Sequence, residues 1–176
     1  MWRDYHLLTM KKLLLVLAFV TGVAHTSSAQ SDYSVVSTFV NSAISQDAES
    51  MLNVMHPDNY DDIDDVMRRS QIFDFQCWEL VGVINTEYGA RYIVAMYPSE
   101  EALLSGVLSD DKQRLYVTPS GAIFCYEVLY VVNEGGRKYI VCNGDLMTIG
   151  ETEPALRTVG KSVPSKYYVD RYGGGK

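Results

Sequence analysis

Residues 114–149 read RLYVTPSGAIFCYEVLYVVNEGGRKYIVCNGDLMTI, and this stretch decides the fold. Pro119-Ser120-Gly121 separates two β-rich runs: proline presets the φ of a turn, and glycine accepts backbone conformations that other residues resist. Before it, Leu115 and Val117 alternate with Arg114, Tyr116 and Thr118, which predicts a strand with one buried and one wetter face. After it, Ile123, Cys125, Leu129 and Val131 fall on one side of residues 122–132, and Phe124, Tyr126, Val128, Tyr130 and Val132 on the other. Apolar groups on both sides predict a central strand, covered on both faces or covered on one and tyrosine-clad on the other. Asn133-Glu134-Gly135-Gly136 is the next turn, with glycines that permit positive φ. Residues 139–142 return alongside, and Asn143-Gly144 marks a bulge or the end of regular pairing.

At the other end of the chain lies an export signal. Lys11-Lys12 precedes the apolar run LLLVLAFV, and Ser27-Ser28-Ala29 supplies small residues at a cleavage site. The run is shorter than the ~20 residues of a membrane span, so no stable span is expected once the signal is removed. Residues 1–29 carry Arg3, Lys11 and Lys12 against Asp4, so their removal takes the formal charge from −7 to −9. An acidic exported domain, periplasmic or extracellular, lacks the basic footprint that nucleic acid requires. The reading is a signal at 1–29, one domain at 30–150 and a partly ordered tail at 151–176.

Between these ends, Ser34-Val35-Val36-Ser37-Thr38-Phe39-Val40 is rich in β-branched residues and reads as a strand. Ile44, Ala48, Met51, Leu52 and Met55 recur at helical spacing, which predicts a helix over 42–55. Val36 and Val40 extend the same stripe backwards, so one long helix from about residue 33 is the competing reading. A short helix follows, with Asp61 and Asp62 in its first turn and Arg68 and Arg69 in its last, the charge order a helix dipole favours. Phe73, Phe75 and Cys77 then alternate with Asp74 and Gln76 as a half-buried strand. Residues 85–97 read as a turn and a strand, or as a helix. Ser99-Glu100-Glu101 caps a helix carrying Ala102, Leu103, Leu104 and Val107. The sum is an α+β fold: an antiparallel sheet of about four to five strands, with two or three helices packed mainly on one face.

Chemistry-bearing motifs are scarce. His56 is the sole histidine after residue 29, and no G-x-S-x-G elbow accompanies it; no catalytic residue, metal ligand set or cofactor site is expected. Ser120 reads as a turn residue. Asp58, Asp61, Asp62, Asp64 and Asp65 form an acidic cluster without the glycine and glutamate positions of a calcium loop, and read as a solvated helix face. Cys77, Cys125 and Cys142 have no C-x-x-C spacing. Adjacent strands bring Cys125 and Cys142 near enough for a disulfide only after a register shift, so three buried thiols is the favoured reading. Thirteen tyrosines stand out, and Tyr116, Tyr126, Tyr130 and Tyr139 form a candidate aromatic face, since tyrosine is favoured on recognition surfaces. Ordinary sheet-face packing is the competing account.

The order of elements resembles a family of small exported Bacteroidota proteins known only as a domain of unknown function. The resemblance rests on SAISQDAESMLNVM, on IDDVMRRSQIFDFQCWEL, and on the closing helix and three strands with Asn143-Gly144-Asp145-Leu146. It implies a helix over residues 85–98, where the composition is β-like, and implies no activity. Asp47-Ala48-Glu49 before Met51-Leu52 is similar to the small-residue helix that opens many NTF2-like domains, in which a curved sheet wraps a long helix. Two functions are therefore expected: a non-enzymatic envelope protein that binds a protein or surface partner, or an NTF2-like small-ligand binder or enzyme with a pocket in a curved sheet.

Overall fold

Ser31 starts the first helix: its hydroxyl accepts the Ser34 amide at 3.0 Å and satisfies one of the donors a helix N-terminus leaves open. The computed structural model describes residues 31–87, 89–105, 115–142 and 149–163, which belong to one compact unit beginning at Ser31. Helix α1 spans Asp32–Ser45. The β-branched run at 34–40 is therefore helical, because Val35, Val36, Phe39, Val40 and Ala43 place one continuous apolar stripe against the sheet. The helix expected over 42–55 is interrupted. Gln46 adopts a left-handed conformation and donates its amide to the Ser42 carbonyl, and Asp47 caps a separate short helix α2, Ala48–Leu52, by accepting the Ser50 amide.

A 3-10 turn at Pro57–Asp62 leads into helix α3, Ile63–Phe73. Phe73 thus closes a helix, where alternation with Phe75 and Cys77 had pointed to a strand. The strand begins only after Asp74, whose positive φ turns the chain. Strands β1 (Phe75–Thr86) and β2 (Gly89–Pro98) form a long antiparallel pair, so the composition of residues 85–97 prevails over the helix that the family resemblance implies. Ser99 caps the short helix α4, Glu100–Leu104; Val107 lies outside the described residues. Strand β3 is Leu115–Val117, β4 Ile123–Glu134 and β5 Arg137–Val141. Only Gly135 and Gly136 join β4 to β5, both at positive φ (61° and 82°), the geometry of a two-residue hairpin turn.

The chain then forms helix α5, Ile149–Val159, and strand β6, Lys161–Val163, where the sequence pattern fades into an expected tail. The antiparallel sheet runs β1-β2-β4-β3-β6, with β5 also on β4. Strand β4 is its axis. One edge pairs with β2; the other is shared, with β3 at Ile123 and Phe124 and β5 from Tyr130 to Glu134.

Each face of this α+β sheet has its own core. Tyr92, Val94, Met96, Cys125, Leu129 and Ile140 lie under α1, α2 and α3. Ile93, Ala95, Tyr116 and Phe124 point the other way and are covered by Leu156 of α5. The second face is thus helix-covered too, which is why Tyr116 is as buried as Leu115. Gly82 lets α5 approach: a Cβ there would sit 3.0 Å from the Ala155 Cβ. Asp32 anchors α1 to the sheet, accepting from Lys138 of β5 and, at 3.0 Å, from the Tyr92 hydroxyl of β2.

Candidate functional site

The first core is not filled. A cavity of about 150 Å³ opens between α1, α3 and the sheet. Helix α1 supplies Phe39, Val40, Ala43 and Ile44, and α3 supplies Val66, Arg69, Ser70 and Phe73, spaced so that one face of each helix turns inward. Phe75, Val94, Met96 and Leu129 form the sheet wall, and Cys142 closes the side beyond β5.

Polarity is confined to three side chains. Glu127 pairs with Val94 in register and so occupies an inward position of β4. Its Oε1 accepts from the Arg69 guanidinium at 2.8 Å. Both side chains are half-exposed, which places the pair where the cavity meets solvent. Desolvation by the surrounding apolar walls raises the Glu127 carboxyl above its ordinary range although part of the side chain reaches solvent, and the Arg69 charge only partly opposes this. Ser70 is 5 % exposed, and its Oγ has no hydrogen-bond partner among the described residues. An unmet hydroxyl costs about 1–3 kcal/mol when buried, so its presence on the wall of an apolar cavity calls for an explanation.

The thiols are free. Cys125 is buried, Cys142 partly so and Cys77 exposed. Two expectations are corrected here. The two-residue turn pairs Tyr130 with Val141, so Cys142 follows opposite Leu129 and lies roughly 13 Å along the strand from Cys125, at about 3.3 Å per residue; a Cys125–Cys142 disulfide is out of reach. Cys77 is not a buried thiol either, because an irregularity between Phe75 and Cys77 shifts it off the alternation. Burial raises Cys142 to about 12, helped by the nearby Asp62 and Glu127 carboxylates, and burial likewise raises Cys125 to about 12. Both are protonated thiols, poor nucleophiles at neutral pH.

The four candidate tyrosines share the second sheet face but have different environments. Tyr116 is fully buried, stacked on Phe124 at 5.4 Å with its hydroxyl on Glu153 at 2.8 Å; it presents nothing to a partner. Tyr126 meets it edge-on. Tyr130 lies beneath Arg91 and reaches Thr86. Tyr139 packs between His56 and Arg137. His56 accepts the Asp58 amide at Nδ1 and faces Glu134 with Nε2 at 3.2 Å, the arrangement of a structural histidine. Ser120 bonds Thr118 within its turn. Of the acidic cluster, Asp65 pairs with Arg68 and Asp62 accepts from Asn59. Among the described residues no group of three or more His, Cys, Asp or Glu side chains meets at metal-binding spacing, and no helix is long and apolar enough to cross a membrane.

A separate apolar strip runs along strand β1, which pairs only with β2 among the described strands. Trp78, Leu80 and Val83 oppose Met96, Val94 and Tyr92 and therefore lie on the α1 side. Tyr33 stacks against Trp78. Exposure here is high: 54 % for Tyr33, 45 % for Val83 and 37 % for Leu80.

Sequence reasoning missed Arg69, Ser70 and Glu127. One signal was available: Glu127 interrupts the apolar series Ile123, Cys125, Leu129 and Val131 at an inward position. No family model, curated protein or solved structure matches the chain.

Proposed function

We propose that this is an exported binding protein whose cavity between α1, α3 and the sheet takes a small, mostly apolar molecule. The observation that carries this reading is an apolar cavity of about 150 Å³, the size of a site that accepts benzene, with Ser70, Arg69 and Glu127 as its polar groups. A void left in a core costs stability, so an occupant has free energy to recover. The helical start at Asp32, in place of a strand, supports the NTF2-like alternative over the family of unknown function; that analogy concerns fold alone. Protonated Cys142 and a structurally engaged His56 support binding without catalysis. The signal at residues 1–29 supports a periplasmic or extracellular setting.

Thermal unfolding with and without saturating benzene tests the reading. Binding raises the midpoint by mass action, about 1.4 kcal/mol at tenfold excess over Kd. Ala43→Leu, which fills the cavity from α1, removes that shift. An equal shift in the filled variant refutes it, as does a parent that binds neither benzene nor benzoate.

The Tyr33, Leu80 and Val83 strip supports a second reading, in which the protein binds an envelope partner along β1. Val83→Lys should then abolish specific crosslinks in cells. Unchanged crosslinks would remove this reading.

A further inference from the structure

We propose that the ligand is a monocarboxylate of about benzoate size, its body among the apolar walls of the cavity and its carboxylate on Arg69 and Ser70. The inference rests on the binding reading and deepens it.

A guanidinium offers five N–H donors in a planar fork, and among the described residues the Arg69 group has one hydrogen bond, to Glu127 Oε1. The Ser70 hydroxyl has none. The cavity therefore offers the buried Ser70 hydroxyl and the N–H groups of a half-exposed guanidinium, the one formal cation among its lining residues. An acceptor-only head matches these donors, and a carboxylate fits the fork of an arginine bidentately. A cationic head would find acceptors on Glu127, whose Oε1 already takes the Arg69 hydrogen bond, but would face the Arg69 charge. A neutral hydrocarbon would leave Ser70 unsatisfied.

Charge then dictates a linked step. The empty site holds Arg69 as a cation and Glu127 as an anion. Adding a second carboxylate places two like charges on one guanidinium, which is relieved when Glu127 takes a proton from solvent. Its O–H becomes a donor to the ligand, and Arg69, still a cation, pairs with the bound anion in place of Glu127. Glu127 is suited to this, because burial already favours its neutral form. The titratable groups near it are Arg69 from α3, the Cys125 thiol on its own strand and the Cys142 thiol beyond β5; the cavity residues from α1, β1 and β2 carry no charge. One proton is thus taken up per ligand, and affinity falls about tenfold per pH unit over the range in which Glu127 and the ligand are ionised when free and Glu127 is protonated in the complex.

Isothermal titration with sodium benzoate, in two buffers of different ionisation enthalpy between pH 6 and 8, reads both quantities, with benzene as the neutral probe. The expected result is benzoate binding with uptake of one proton. Glu127→Gln retains benzoate binding and loses its pH dependence. Arg69→Met loses benzoate and keeps benzene, which also shows that the variant is folded. If benzene binds while benzoate does not, or benzoate binds without proton uptake or equally well to Arg69→Met, the carboxylate inference is overturned and the binding reading stands. If neither probe binds the parent or Glu127→Gln, the binding reading itself fails.

Discussion

Helix α5 is held to the second sheet face by Leu156, and removing that side chain tests whether residues 149–163 are part of the fold. Leu156 is fully buried among Ile93, Ala95, Tyr116 and Phe124. Leu156→Ala deletes about three carbon groups, each contributing roughly 0.8 kcal/mol of transfer free energy. The walls belong to paired strands and relax little, so a cavity term of about 1 kcal/mol is added. The expected loss is about 3 kcal/mol. In urea this lowers the midpoint by about 1–2 M at unchanged slope. Arg157→Ala is the control on the same helix: Arg157 is exposed and pairs with Glu153 one turn away, so its loss should stay within about 0.5 kcal/mol. A Leu156→Ala midpoint equal to that of Arg157→Ala would refute the docked helix.

Three further outcomes are expected. Burial alone would raise the Asp32 carboxyl, but hydrogen bonds from Lys138 and Tyr92 more than reverse this and hold it below its ordinary value; a lowered carboxylate stabilises the fold above its unfolded pKa and loses that contribution as pH falls through the folded one. Asp32→Asn should therefore cost about 1 kcal/mol near neutrality, solvent screening limiting the value, and flatten the acid limb of stability below about pH 4, as urea midpoints against pH will show. A thiol reagent should label one cysteine per native chain, Cys77, and three after denaturation without reductant; a single label in the denatured chain would indicate a disulfide. Gly136→Val puts a β-branched residue at φ 82° and should cost at least about 1–2 kcal/mol, measured by the same urea titration, with no loss expected only if the hairpin turn is of another kind.

The central hairpin was legible because three signals agreed: apolar alternation, adjacent glycines and β-branched content. The start of α1 was not, because Val35, Val36, Phe39 and Val40 satisfy a strand's composition and a helix's stripe together, and only tertiary packing selects between them. Helix α5 was hidden by Pro154 and by a short apolar stripe of Ala155, Leu156 and Val159. The tyrosine face was legible as a face and misleading as a surface: alternation places Tyr116 correctly, but whether a helix covers it is a long-range fact. The Arg69–Glu127 pair joins residues 58 apart, a separation across which no local pattern reports. Asp61, Asp62, Arg68 and Arg69 were read for a helix dipole, but the aspartates lie in the 3-10 turn before α3 and the arginines short of its last turn, and a dipole says nothing about what an arginine reaches.

The place of α5 and β6 in the chain has a consequence for the order of assembly. The buried residues of the first core end at Ile140, with Val163 of β6 packing against them from later in the chain, whereas the second core gains its helix cover from Ala155, Leu156 and Val159, and β3 its β6 partner at Lys161–Val163. When the chain is delivered from its N-terminus, as in synthesis, one side of the sheet has most of its cover first. Ile93, Ala95, Tyr116 and Phe124 then wait, open to water or to a chaperone, until α5 arrives. The half-closed sheet is the species most exposed to aggregation, and a holdase that recognises extended apolar strands would meet its target there.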